Sequence, residues 1–175
     1  MSAFISIKSC CCRNCESVCS IAETNFVRTS RRNALLPSLI ALVFVLVAQE
    51  ARACAVNITG VNFGRYDVFS NVALHSAGNI DMNCPIGVGY HITLTAGSGT
   101  FSQRVMSSGA HSLNYNLFTA ANRVLVWGDA TNDSVTVSGS GTDETVDHVV
   151  YGRIPPNQNV YPGSYSDTIT VEITF

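Results

Sequence analysis

The chain has 175 residues, 13 glycines and seven cysteines, and only 13% of its residues are charged. All the glycines follow residue 53, whereas the only lysine, Lys8, and five of the cysteines precede it. Residues 54–175 contain four arginines and nine acidic residues, a formal net charge of −5. This charge argues against nucleic acids and anionic membranes as partners, because both bind through cationic patches.

Five cysteines crowd residues 10–19: Cys10, Cys11, Cys12, Cys15 and Cys19. Their thiols could bind a metal or an iron–sulfur cluster, but the spacing matches no paired Cys-x2-Cys motif and no histidine is near. The favoured interpretation is an extension discarded on export, or a misassigned start. Initiation near Val27 would leave a signal peptide of ordinary length.

Residues 31–53 have the features of a secretory signal peptide. Arg31 and Arg32 supply the positive charge, and residues 34–48 are apolar apart from Ser38. The apolar run is shorter than the ~20 residues that span a bilayer, so no lasting membrane insertion is expected. The small residues of 51–53 predict Sec-dependent export with cleavage between Ala53 and Cys54. A retained anchor and a lipoprotein are the disfavoured alternatives.

Cleavage there divides the sequence into two parts. Residues 1–53, the N-terminal extension and signal peptide, would be removed, and residues 54–175 are expected to form one globular domain. Only Cys54 and Cys84 remain in the exported part. Two cysteines in an exported domain predict one disulfide. Closing this loop would stabilise the fold by about 3–4 kcal/mol in the chain-entropy model.

Alternation of apolar and polar residues with a period of two runs through residues 54–175. Regular stretches lie at residues 88–95, 113–118 and 168–175, and shorter ones at 54–58, 79–84, 124–127, 135–137 and 146–154. Turn-forming residues separate them at 96–99, 128–130, 139–141 and 155–157. One apolar and one polar face is typical of half-buried antiparallel strands. The pattern predicts an all-β sandwich with Greek-key connections.

The last predicted strand runs to the final residue of the sequence, Phe175. Its apolar residues share one face and are Ile169, Val171, Ile173 and Phe175. Each would contribute about 1.5–3 kcal/mol if fully buried. We therefore expect this strand to be central to the fold or to an interface beside it.

Catalytic and metal sites are not indicated. The four histidines (His75, His91, His111 and His148) are not paired at ligand spacing, and no Gly-x-Ser-x-Gly elbow is present. Residues 129–133 resemble half a calcium loop but lack its glycine and its final glutamate, so a hairpin turn is expected. Asp143, Glu144 and Asp147 are interpreted as a solvated loop. No catalytic residue, metal ligand or cofactor is predicted.

An ordered set of short motifs nevertheless resembles a known family. The motifs are Cys-Ala-Val at 54–56, Val-Asn-Phe-Gly-Arg-Tyr-Asp at 61–67, Asn-Ile-Asp-Met-Asn-Cys at 79–84, Leu-Asn-Tyr-Asn-Leu-Phe at 113–118, Val-Trp-Gly-Asp at 126–129, Tyr-Gly-Arg-Ile-Pro at 151–155 and Pro-Gly-Ser-Tyr-Ser-Asp at 162–167. Together they resemble the spore coat protein U domain, a family that includes subunits of archaic chaperone–usher pili. The resemblance covers essentially all of residues 54–175.

The resemblance implies an incomplete immunoglobulin-like sandwich that lacks its final strand. A periplasmic chaperone would fill the open groove during export, and a neighbouring subunit would replace it at the cell surface after passage through an outer-membrane usher. Such strand addition combines backbone hydrogen bonds with pockets for alternate side chains. By position, Ile169, Val171, Ile173 and Phe175 would border the groove, and the Cys54–Cys84 bridge would join the first strand to the next.

The predicted cleavage site departs from what a mid-fibre subunit needs. Cleavage at Cys54 leaves almost no segment to donate to a neighbour, which is expected of a subunit at the fibre tip. Tip adhesins of this type usually have a second domain, which is not evident here. The alternatives are a spore-coat or cell-surface protein that does not polymerise, and a carbohydrate-binding or hydrolytic module. Such a module would need a pocket with clustered aromatic or acidic residues, whereas the single tryptophan, Trp127, lies in one of the family motifs and is interpreted as a core residue.

Overall fold

The protein is described here from a computed structural model, which covers residues 2–11 and 53–175, with the backbone alone for residues 8–11. These residues contain no helix, and therefore none that could cross a membrane. Their strands are β1 (Ser2–Cys11), β2 (Ala55–Thr59), β3 (Asn62–Arg65), β4 (Leu74–Asn83), β5 (Gly89–Leu94), β6 (Arg104–Ser108), β7 (His111–Phe118), β8 (Val137–Ser140), β9 (Thr145–Ile154) and β10 (Ser164–Thr174). The predicted all-β class is confirmed.

The strands form one curled sheet that encloses a single core. The order along the sheet is β2-β4-β9-β7-β6-β10-β1-β3, and β5 pairs with β10 on one side and β8 on the other. The curled sheet forms two layers around the core. β7 belongs to both layers, because it pairs with β6 near its start and with β9 near its end. The chain crosses from one layer to the other a second time at Gly60 and Val61, which connect β2 to β3.

The period of two in the sequence places apolar side chains in the core. β5, β7 and β10 bury alternate residues, as their patterns predict: Tyr90, Ile92, Leu94, Leu113, Tyr115, Leu117, Tyr165, Ile169, Val171 and Ile173. Phe118, which the period of two along residues 113–118 would place on the polar face, is also buried, with the Arg153 guanidinium 5.0 Å from its ring centroid. Each fully buried apolar side chain contributes about 1.5–3 kcal/mol to stability.

The predicted strand 124–127 makes only isolated bridges, and the predicted strand 135–137 makes one before it enters β8 at Val137. Phe118 pairs with Val126, and Trp127 pairs with Val135 in parallel. Residues 129–133, which lie between Trp127 and Val135, form a tight loop rather than the predicted hairpin turn, because the bridge between these two residues is parallel. The Asp129 carboxylate accepts hydrogen bonds from the backbone and hydroxyl of Thr131. The carboxylate thus accepts hydrogen bonds from within its own loop.

One predicted turn is part of a strand. Gly139 and Ser140 belong to β8, although Gly-Ser-Gly at 139–141 was expected to form a turn. A Cβ atom at Gly139 would lie 2.3 Å from the Tyr90 ring. Glycine is therefore needed here to make room for a buried aromatic side chain, which a local sequence pattern does not reveal.

Candidate functional site: a strand position beside β10

The N-terminal strand β1 lies between β10 and β3. It pairs in parallel with the whole of β10, from Ser2 opposite Ser164 to Cys11 opposite Ile173. On its other side it pairs with β3 in the antiparallel sense, through Ser2, Ala3 and Phe4. The Ile5 backbone N–H also donates to the Val61 carbonyl at 2.9 Å. β1 therefore closes the edge between the last strand and the first part of the domain.

Side chains of β1 complete the hydrophobic core. Ala3 and Ile5 are fully buried, and Ile7 packs against the same cluster. Phe4, which points the other way, is 48% exposed. Removing Ile5 from a packed interior would cost both its transfer free energy and that of the cavity it leaves. The domain thus has a groove that fits a strand with apolar residues at alternate positions.

Residues 1–53 were predicted to be removed, so a strand from this segment was not expected. Only Cys10 and Cys11 of the five clustered cysteines fall on a described strand, and they end β1. Cys12, Cys15 and Cys19, the apolar run at 34–48 and the possible start at Val27 lie outside the described residues. Removal after Ala53 stays a prediction, and its consequence would be to vacate the strand position.

β10 carries the residues assigned to the groove from the sequence. Ile169, Val171 and Ile173 are buried on the strand that pairs with β1. Phe175 lies beyond the end of β10 and is 50% exposed. The first three therefore lie where a groove lining is needed, and Phe175 lies at its margin.

A buried polar cluster on β10, β7 and β6 holds the groove wall in place. The Asp167 carboxylate accepts hydrogen bonds from the Tyr115 hydroxyl at 2.7 Å and the Ser98 hydroxyl at 2.8 Å. The fully buried Arg104 donates to the carbonyls of Thr95 and Trp127 and to the Asn116 amide oxygen. These bonds tie the start of β10 to the loop that follows β5.

Burial shifts the proton affinities in this cluster. It lowers the pKa of Arg104 to about 10, although Tyr115 and the carboxylates nearby favour the charge. It also raises the pKa of Tyr115, with the hydrogen bond to Asp167 acting in the same direction. Tyr115 is therefore a neutral hydrogen-bond donor at neutral pH.

Sequence reasoning missed this cluster, although one signal was present. Asp167 has the same parity along β10 as Tyr165 and Ile169, so the period of two places it inside. Arg104 had no comparable signal, because β6 was not predicted as a strand. Its burial depends on the carbonyl groups of Thr95, which follows β5, and of Trp127, neither of which is its neighbour in sequence.

The Cys54 and Cys84 side chains form a disulfide. It lies just before β2 and just after β4, at one end of the β2–β4 pair. The two strands are paired from Ala55 opposite Asn83 onward. The bridge therefore fixes the first strand of the domain to the next, where the resemblance implied it.

The remaining candidate residues are not brought together into a site. His91 contacts the Ser138 hydroxyl, His148 contacts the Tyr90 hydroxyl and His111 stacks on Tyr161. Within residues 2–11 and 53–175, no group of three potential ligands is placed to hold a metal ion. Trp127 is buried and donates to the Ile92 carbonyl, so it packs in the core as expected.

Comparison with known proteins agrees with this architecture. A chain of the chaperone–tip adhesion subunit pre-assembly complex CsuC–CsuE, from the archaic chaperone–usher Csu pili of Acinetobacter baumannii, superposes with a TM-score of 0.52. The sequences are 20% identical over 70% of this chain and 40% of that one, so the match shows the fold alone. The Hda pilus minor tip subunit of E. coli superposes only loosely, with a TM-score of 0.35 at 14% identity over 68% of this chain and 79% of that one.

The sequence comparisons identify the family, whereas the structural match shows only the fold. Protein U of Myxococcus xanthus is 33% identical over 129 residues, which cover 66% of this chain and 71% of that protein. The model of the Spore Coat Protein U domain matches residues 40–172, well over half of the chain. The family motifs predicted an incomplete immunoglobulin-like sandwich. In the structure, the strand position beside β10 is filled by β1, a segment from outside residues 54–175. The chain belongs to the Spore Coat Protein U domain family.

Proposed function

We propose that this protein is an exported structural or adhesive subunit of a bacterial surface fibre of the archaic chaperone–usher type. Its sandwich would be completed by a β-strand that comes from outside residues 54–175. The observation that carries the proposal is the strand position between β10 and β3, which is filled by a segment from outside residues 54–175. The proposed role is structural, and no catalytic activity is assigned.

The physical need for a partner strand follows from the groove. Without β1, β10 would present unpaired backbone groups along one edge, and its neighbours would expose the space now filled by Ala3 and Ile5. An open edge beside an exposed core is prone to aggregation. A donor strand supplies backbone hydrogen bonds and fills alternate pockets at once.

Partners and location follow from the same proposal. A periplasmic chaperone would supply the strand in transit, an outer-membrane usher would pass the subunit on, and a neighbouring subunit would supply the strand in the fibre. The Cys54–Cys84 disulfide supports folding in an oxidising compartment. Export through the Sec pathway and cleavage after Ala53 would deliver residues 54–175 to the periplasm. A position at the fibre tip fits the short segment that precedes β2.

The test is periplasmic expression of residues 54–175 alone and with residues 2–9 joined ahead of Cys54 by a flexible linker. We expect the bare domain to be poorly soluble and the linked strand to raise the melting temperature by ~10 °C or more, as a gain of a few kcal/mol predicts. A linked strand with aspartate at Ala3 and Ile5 is the matched control and should not rescue. A bare domain that is a stable monomer, unchanged by the strand, would contradict the proposal.

That contrary result would favour a coat or surface protein that does not polymerise. The sequence similarity to Protein U is the observation that favours this second candidate function. A carbohydrate-binding module is less well supported, because Trp127 is buried and so cannot stack on a sugar. Glycan binding by the strand-completed domain would be the measurement that revives it.

A further inference from the structure

Gly60 lies where the domain passes from β2 to β3 and where the backbone of β1 runs past it. The adjacent Val61 carbonyl accepts the hydrogen bond from the Ile5 N–H. At this point two backbones approach each other closely without the spacing that side chains would impose. The contact therefore differs from the regular strand pairing on either side.

The space beside Gly60 is filled by β1. A Cβ atom at this position would lie 2.4 Å from the Ile5 carbonyl oxygen, 3.6 Å from the Ile5 carbonyl carbon and 3.7 Å from the Phe4 ring. All three nearest atoms belong to β1, and the severe one is a backbone atom that no side-chain rotation can move. Gly60 is not among the residues with positive φ. Glycine is thus required here for space and not for conformation.

We propose that Gly60 is the specificity-determining residue of the groove. An incoming strand must pass it with its backbone in direct contact with the Gly60 backbone, where no side chain fits between them. The ligand class is an extended peptide whose apolar residues alternate and whose carbonyl group passes over Gly60. A side chain at position 60 would exclude such a strand while leaving the packing within residues 54–175 unobstructed. This inference rests on the proposed function, because it concerns the same groove.

Two other glycines provide matched controls. A Cβ at Gly78 would lie 2.5 Å from the Thr59 carbonyl, 3.0 Å from the Val61 side chain and 3.1 Å from the Gly60 carbonyl carbon, so it would press on the same crossing from inside the domain and not from β1. A Cβ at Gly89 would meet nothing within 4 Å. Gly78→Ala therefore reports damage to the domain, and Gly89→Ala reports the general effect of replacing a strand glycine.

The experiment measures amide hydrogen exchange on the oxidised full chain, for the wild type and for Gly60→Ala, Gly78→Ala and Gly89→Ala. In the wild type, the amides of residues 3–7 should be protected. In Gly60→Ala their exchange should be at least tenfold faster, whereas Gly89→Ala should match the wild type. Unchanged protection of β1 in Gly60→Ala would overturn the inference and leave strand addition standing.

Loss of β1 could also loosen the rest of the domain, so a double-mutant cycle separates the two effects. Urea midpoints are compared for Gly60→Ala, Ile5→Asp and the double variant. If Gly60 acts on the strand, Gly60→Ala should lower the midpoint in the wild type and have no further effect when Ile5→Asp has already expelled β1. If Ile5→Asp leaves the chain unfolded in buffer, Ile5→Ala takes its place.

Additive midpoints would show that Gly60 serves the domain and not the strand, which overturns the inference alone. The proposed function fails differently. In that case, β1 of the wild type would exchange freely, and a labelled peptide of residues 2–9 added in excess would not bind. This result would overturn both, and it is read from the wild type without any variant.

Discussion

The pairs β4–β9 and β10–β1 are both ten residues long, yet they differ in origin. β4 and β9 pair along their whole lengths, from Leu74 opposite Ile154 to Asn83 opposite Thr145, and both belong to residues 54–175. β10 pairs equally fully, but with a segment that the sequence predicts to be removed. One half of the sandwich is therefore complete in itself, and the other depends on which strand occupies its edge.

The two sides also differ in how they are held together. The β4 edge is covered by β2 and fixed by the Cys54–Cys84 disulfide. The groove side has no covalent tie among the described residues, and its wall is held by the hydrogen bonds of Asp167 on β10. Packing on this side thus depends on β1 occupying the edge of β10.

The largest effect on this comparison is expected from Ile5→Asp in the full chain. It removes a fully buried apolar side chain and places a carboxylate in the core, which should cost more than about 4 kcal/mol. Urea unfolding measures the loss. Phe4→Asp changes the adjacent, half-exposed position and is the control, with an expected change below about 1 kcal/mol. Equal losses would show that β1 does not occupy the groove.

The disulfide side is probed by Cys54→Ala combined with Cys84→Ala. Losing the 30-residue loop closure should lower the free energy of unfolding by about 3 kcal/mol. Reduction of the wild type with a thiol should reproduce the loss in urea unfolding. Hydrogen exchange should locate the effect first at β2, because the bridge joins its start to the end of β4. A loss confined to β1 instead would contradict the division into two sides.

A smaller effect is expected from Tyr115→Phe, which weakens the groove wall without emptying it. The hydroxyl donates to Asp167 at 2.7 Å, and a hydrogen bond to a charged group contributes about 2 kcal/mol. The control is Tyr161→Phe, because the Tyr161 side chain is largely exposed and should tolerate the change. Thermal unfolding measures both, and equal melting temperatures would assign the cluster no role in the wall.

The smallest effect is a pH dependence on the β9 side. Burial lowers the pKa of His148 below its ordinary value of 6.5, and the pKa of His75 is lowered too, by burial and then by Arg123 and Arg153. The unfolded chain therefore binds more protons as pH falls through about 6.5, so stability is greatest above this pH and declines below it. Unfolding between pH 8 and 5 should show this decline.

The matched variant for that experiment is His148→Gln, which can still accept a hydrogen bond from the Tyr90 hydroxyl. It should flatten the decline without changing stability at pH 8 by more than about 1 kcal/mol. A decline equally steep in this variant would assign the effect to other groups, His75 first.

Much of the fold was predictable because it is local. Alternation along residues 88–95 and 168–175 predicted β5 and β10, and the exported pair of cysteines predicted the disulfide. Prediction failed where a local pattern was overruled by a distant neighbour. Gly139 lies in a strand because Tyr90 needs its space, and β6 was missed because its polar Arg104 is buried by carbonyl groups from elsewhere in the chain.

The sequence by itself determined the class of fold, the inward faces of the strands, the family and the expectation of an open groove. These follow from side-chain periodicity and ordered motifs, which are properties of the chain read in one direction. Only the tertiary structure decided that β1 fills the edge beside β10, that Arg104 lies inside, and that Gly60 must stay bare. Each of these depends on backbone groups from separate segments meeting within hydrogen-bonding distance, and no linear pattern encodes such a meeting.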